Sequence, residues 1–263
     1  MRDSLVTAGG QHLIAGDFTS VGGVAHGNLA KLNANGSPDQ TFAAGTGANG
    51  PIHAIALDSS GKILIGGQFT SYVYCIAVAG SSVYIGGDFS TCHGSARSRL
   101  AVLSNTGTLG SATFNGGANA AVRALRLDGS GATLYAGGDF TSAGGATRGY
   151  FAQFSVSSGT VSGSNLSLNG PVRTIYLTTS ASSSSEANLY IGGDFTLISG
   201  VPRGRLASFK SNFGGTLTLD GEFNFWLDAP CRKIVASGTA KIFIGGDFTA
   251  VNGQWHSRFA ALS

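Results

Sequence analysis

Tyr84-Ile85-Gly86-Gly87-Asp88-Phe89-Ser90 is one of six near-copies of a single heptapeptide, the others lying at Leu13–Thr19, Leu64–Thr70, Tyr135–Thr141, Tyr190–Thr196 and Phe243–Thr249. An element that recurs along a chain marks one supersecondary unit stacked on copies of itself, so this repeat decides the architecture. Its fifth residue is Asp17, Gln68, Asp88, Asp139, Asp194 and Asp247, at successive separations of 51, 20, 51, 55 and 53 residues.

Five copies carry a common downstream half. Six residues after the Asp stands Gly23, Gly94, Gly145, Gly200 or Gly253, and nine after it a base: His26, Arg97, Arg148, Arg203 or His256. Thirteen after it is always Ala, and fifteen after it Leu or Phe. The apolar runs are short, alternating and β-branched or aromatic, with no helical period. Each unit therefore reads as a four-stranded antiparallel sheet. An alternating run such as Val122–Leu127 comes first and the heptapeptide second. A loop with the fixed Gly leads to the third strand, Arg99–Leu103 for instance, and a short fourth ends at Phe42, Phe114 or Phe223.

One such sheet cannot cover both of its faces, whereas sheets set radially bury one another. The expected fold is all-β, a single β-propeller over 1–263 of about six four-stranded antiparallel blades. The units run approximately 1–50, 51–72, 73–118, 119–170, 171–226 and 227–263. The unit over 51–72 is truncated, without third and fourth strands, and the last stops after its third. Residues absent near Tyr72, or an excerpt of a longer chain, would account for both.

The Gly-Gly-Asp-Phe-Thr cores, the Gly six residues on, and Arg99-Leu100-Ala101-Val102-Leu103 with its equivalents resemble the delta-sixty repeat. That β-propeller repeat occurs in large bacterial surface and secreted proteins and in some phage proteins. The resemblance runs along essentially the whole chain. It implies a propeller and an extracellular, cell-surface or virion setting, but fold alone does not assign activity.

Composition narrows the function. The 263 residues include 42 % apolar residues and 42 glycines but only 11 % charged ones, enough for a core and too little charge for disorder. No apolar run reaches the length of a membrane-spanning helix, so membrane insertion is not expected. The net charge of +3 is spread through the repeats, without the basic stripe of a nucleic-acid binder. Cys75, Cys92 and Cys231 are odd in number and ignore the repeat, as free thiols do. Met1 is followed at once by Arg2, Asp3 and a strand pattern, which leaves a mature fragment, a cytosolic protein or a virion component.

The histidines lack metal-ligand spacing, and neither a nucleophile elbow nor a phosphate-binding loop is present. Asp220, Glu222 and Asp228 are the acids a glycosidase would need, yet they sit in one turn-rich stretch. No cofactor, metal or catalytic residue is expected. The repeated Asp and the base nine residues on read as loop-pinning pairs: Asp17–His26, Asp88–Arg97, Asp139–Arg148, Asp194–Arg203 and Asp247–His256. The Asp is also expected to accept from the hydroxyl two residues on.

Departures from the repeat are where recognition would show. Trp255, His256, His93 and Tyr150 are the candidate binding residues of one loop face, with Phe223–Trp226 second. The expected role is a noncatalytic scaffold or interaction module, its partners being other proteins of a surface or virion assembly, with glycan as a further class. A glycan- or receptor-binding adhesin and a carbohydrate-active enzyme are the alternatives.

Overall fold

The computed structural model describes residues 1–42, 50–67, 72–110, 117–163, 165–179, 186–212, 216–237 and 241–262. Every regular element among them is a β-strand. The fold is all-β and of propeller type. Each unit opens with an innermost strand: Asp3–Val6, Ile52–Leu57, Tyr72–Ala79, Val122–Leu127, Val172–Thr179 and Cys231–Ser237. The heptapeptide strand pairs antiparallel with it, and in five units the third strand pairs with the heptapeptide in turn. Consecutive innermost strands pack side by side along the chain.

The core lies between the sheets. Leu13 and Leu29 of the first unit cluster with Ile52 and Ile55 of the second. Leu64 meets Val83 and Ile85, Tyr84 and Leu100 meet Val122 and Leu134, Tyr135 and Phe151 meet Leu189 and Ile191, and Tyr190 and Leu206 meet Ile234 and Ile244. Phe140, Phe195 and Phe248, which follow the motif Asp, are 0 % exposed. Each such side chain contributes about 1.5–3 kcal/mol of burial.

The Gly-Gly pair makes this stacking possible. A Cβ on the first glycine would come within 2.5–2.8 Å of the next unit's innermost strand: Gly66 against Val73, Gly86 against Val122, Gly137 against Val172, and Gly192 against Cys231. A Cβ on the second would strike a carbonyl at the start of its own innermost strand or just ahead of it, at Pro51, Tyr72, Ala121, Pro171 or Pro230. Gly245, in the last unit, meets nothing nearer than the Arg258 carbonyl at 3.8 Å. On that face Val235 and Phe259 are 44 % and 60 % exposed. The sheets therefore do not close into an unbroken ring. The last and first units touch at their inner ends, through Lys233 Nζ and Asp3 Oδ1 at 3.2 Å.

Three details differ from the sequence-based expectation. The segment between second and third strands is a miniature hairpin, Ser142–Ala143 against Ala146–Thr147 for example. Its two central residues have positive φ, as at Gly144 and Gly145, His93 and Gly94, or Asn252 and Gly253. That is a type I′ turn, which needs Gly at its second central position and so accounts for the fixed glycine. The fourth strand is weak: Val161–Ser162 and Leu217–Leu219 in two units, single bridges Leu32–Pro38 and Leu103–Leu109 in two others. Phe42 and Phe223 lie outside strands, Phe114 outside the described residues. Phe223 instead sets its ring edge-on to Tyr190, with centroids 5.3 Å apart.

Candidate functional site

Two surfaces concentrate chemistry: a cavity enclosed by the innermost strands, and the rim of miniature hairpins beside it. The cavity arises from a repeated irregularity. Pairing of the innermost strand slips by one residue between Ile52 and Ala54, Val73 and Cys75, Val122 and Ala124, Val172 and Thr174, and Cys231 and Lys233. A β-bulge re-aims the extra side chain, and the bulged residues are His53, Tyr74, Arg123, Arg173 and Arg232. With Arg2 they line a cavity of about 390 Å³, which Asp3, Arg126 and Lys233 also border. A second, more apolar cavity shares Ile76, Leu125 and Arg126 with it and continues to Leu57, Leu127 and Leu177.

Arg123, Arg173 and Arg232 are the partners of three motif carboxylates, Asp139, Asp194 and Asp247. Asp139 binds Arg123 Nε at 2.8 Å and Arg173 Nη1 at 3.0 Å. Arg173 reaches on to Asp194, and Arg232 holds Asp247 through two nitrogens. Asp88 is paired with Arg99 at 3.4 Å. Arg173 thus links two neighbouring units, while the Arg123–Asp139, Arg173–Asp194 and Arg232–Asp247 pairs each lie within one unit. Hydrogen bonding to Asp139 and to Asp247 raises the Arg123 and Arg232 guanidinium pKa values further. Desolvation, helped by the Arg2 charge, pushes His53 below the usual imidazole range. Arg123 also stacks over Tyr74, 5.1 Å from its centroid.

The expected Asp–base pairs are therefore corrected: Asp88–Arg97, Asp139–Arg148 and Asp194–Arg203 do not form, nor, among the described ion pairs, do Asp17–His26 and Asp247–His256. The plus-nine arginines instead donate to backbone carbonyls beneath the hairpin. Arg97 caps Ala96, Arg148 caps Thr147 and Gly163, and Arg203 caps Pro202 and Asp220. His26 is buried at the same place, 8 % exposed. The hydroxyl two residues after the Asp also has another partner. Thr141, Thr196 and Thr249 bind Asn119, Asn169 and Asp228, each three residues ahead of the buried Val or Cys that opens the innermost strand. Asp228 additionally accepts from the Thr249 and Ala250 amides, and these bonds hold its pKa at about 2.

On the hairpin rim Trp255 is 79 % exposed, at the end of the second strand of its hairpin, Gln254–Trp255, with His256 next and its amide bound to the Thr249 carbonyl. His93 occupies the first left-handed position of its turn (φ 50°). Tyr150 sits in the left-handed residue before a third strand (φ 63°) and donates its amide to Phe140. Asn28, Arg99, Arg205 and Arg258 take that same conformation in their units. Trp255 and His256 are thus adjacent, while no described hydrogen bond or ring contact joins them to His93 or Tyr150. Trp226, at 45 % exposed, accepts the Asn252 amide through its carbonyl. Asp220 accepts the Glu222 and Phe223 amides, as a turn residue does. Among the described residues no three His, Cys, Asp or Glu side chains gather where a metal could bind.

Sequence reasoning missed the bulge arginines. Their signal is a base directly after the first buried residue of three of the innermost strands, in Val122-Arg123, Val172-Arg173 and Cys231-Arg232. The separation to the Asp is 16, 21 and 15 residues, because the intervening turn varies. A fixed-offset comparison cannot find it.

Comparison with known proteins supports the fold. Residues 10–42, in the first unit, match the family described as a domain of unknown function (DUF5122) β-propeller. The crystal structure of the computationally designed Ika8 protein is similar over 97 % of this chain and 72 % of its own, with a TM-score of 0.55 and 12 % identity. At that identity the likeness concerns fold alone. No curated protein matches this chain.

Proposed function

We propose that the chain is a noncatalytic scaffold or interaction module of an extracellular or virion assembly, tail- or fibre-like in character. On this reading it is a β-propeller of about six blades of the delta-sixty type. The observation that carries it is the use of the repeated residues. Most of the repeated residues are engaged within the fold: Gly66, Gly86, Gly137 and Gly192 in packing, Phe89, Phe140, Phe195 and Phe248 in the core, Asp88, Asp139, Asp194 and Asp247 in ion pairs, and Arg97, Arg148 and Arg203 in capping backbone. Arg123, Arg173 and Arg232 of the cavity lining each pair with the motif carboxylate of their own unit, and Arg173 also reaches Asp139 of the preceding one, so the charge there serves cohesion within units and across that junction. What remains for partners is the outer surface, where units differ.

The exposure of Trp255 favours one second reading, a glycan- or receptor-binding adhesin that uses this loop face. An exposed indole offers a flat apolar surface for stacking on a sugar ring. Binding of the purified chain to a glycan array, lost in Trp255→Ala with unchanged melting, is the outcome expected of the adhesin. The scaffold reading expects no glycan signal and no turnover of a polysaccharide panel. Turnover abolished by Asp220→Asn or Asp228→Asn would replace both with an enzyme.

A further inference from the structure

Among the described residues, the second unit has a bare edge. Its heptapeptide strand, Ile63–Gly67, pairs with Ile52–Leu57 on its inner side, and no described strand pairs with its outer side. In all five other units that side carries a third strand of one pattern: Leu29-Ala30-Lys31-Leu32, Leu100-Ala101-Val102-Leu103, Phe151-Ala152-Gln153-Phe154, Leu206-Ala207-Ser208-Phe209 and Phe259-Ala260-Ala261-Leu262. The register is the same each time. The Ala stands opposite the second residue of the heptapeptide: Ile14–Ala30, Ile85–Ala101, Ala136–Ala152, Ile191–Ala207 and Ile244–Ala260. Those alanines are at most 2 % exposed, and Ile85, Ala136, Ile191 and Ile244 at most 9 %. Their counterpart Ile65 is 40 % exposed.

We infer that the outer edge of Ile63–Gly67 is a docking site for an extended strand from a different polypeptide, laid antiparallel with a small residue opposite Ile65. An unpaired edge offers a ready row of amides and carbonyls, and strand addition satisfies it while alternate side chains confer specificity. The five filled edges define the chemistry of the incoming strand: Leu or Phe, then Ala, then any residue, then Leu or Phe. A second copy of the chain is a poor donor, because each of its five strands of this pattern is already paired in its own sheet. The inference sharpens the scaffold reading by giving it a partner class.

The probe is a synthetic peptide with the sequence of residues 97–104, added to the intact chain while amide exchange is followed at Ile63–Gly67. The expected result is saturable binding with exchange slowed roughly tenfold or more across that strand. Peptide carrying Ala101→Lys should not bind, and neither should the native peptide to an Ile65→Lys chain that still unfolds cooperatively, since Ile65 is 40 % exposed in the free chain. Equal binding of the two peptides would overturn the proposal. So would a strand already protected in dilute monomer, or protection that rises with chain concentration alone, which would make a second copy the occupant. Each of these outcomes reads one strand and leaves the scaffold reading to stand or fall on turnover.

Discussion

The first glycine of each motif is where sequence and assembly meet most closely. Glycine is disfavoured inside a strand, yet here it lets the neighbouring unit's Val or Cys lie against bare backbone. Gly137 and Gly245 occupy equivalent places with opposite surroundings: Val172 crowds the first, and only a carbonyl at 3.8 Å approaches the second. Gly137→Ala should therefore destabilise by about 1–3 kcal/mol through overpacking, and Gly245→Ala should be close to neutral. Urea unfolding of the two variants separates them, and equal losses would contradict the packing role. Thiol chemistry tests the same junctions. Cys231 lies against Gly192, and burial lifts its pKa to about 12. Cys75 is raised further by the same cause, whereas Cys92 is only partly buried. A thiol reagent should label Cys92 first and the other two only on unfolding.

At the scale of the element, the bulged innermost strand does two jobs. It keeps its apolar residues between sheets and turns one extra side chain toward the axis. Arg173 shows the consequence: it bridges Asp139 of its preceding unit and Asp194 of its own, with its side chain 19 % exposed. Arg173→Ala should cost about 1–3 kcal/mol, as expected for charge-assisted hydrogen bonds left without a partner. A double-mutant cycle of Arg173→Ala with Asp139→Ala should show coupling, whereas one of Arg148→Ala with Asp139→Ala should be additive. The reverse pattern would restore the pairing expected from the fixed nine-residue offset.

For the whole molecule, carboxylates that pin loops make stability depend on acid. Hydrogen bonds from Thr41 lower the Asp39 pKa, those from Ser60 and Lys62 lower Asp58, those from Thr249 and Ala250 lower Asp228, and the bond from Arg232 lowers Asp247. A folded pKa below the unfolded one adds stability that is fully present above the ordinary Asp value of about 3.9 and is lost as pH falls through the lowered value. Urea midpoints should hold steady from pH 7 to 5 and fall between about pH 4 and pH 2. Asp228→Asn should be less stable than the parent near neutrality, with the difference shrinking toward pH 2. A gap that widens in acid would contradict this assignment.

The repeat of the heptapeptide was enough by itself to determine an all-β chain of stacked sheets, because period-two alternation and fixed glycines are local properties that survive in a linear text. The turn glycine six residues after the Asp was legible for the same reason. Ion-pair partners were not: Asp139 and Arg148 keep a constant offset, but the chain folds so that Arg123 and Arg173, on strands reached through turns of unequal length, arrive at that carboxylate instead. The missing third strand beside Ile65 was legible in the 20-residue spacing of the motif, whereas the uncovered face at Gly245 became visible only in three dimensions. What a residue faces depends on which unit lies beside it, and the order of residues along a chain does not record its neighbours in space.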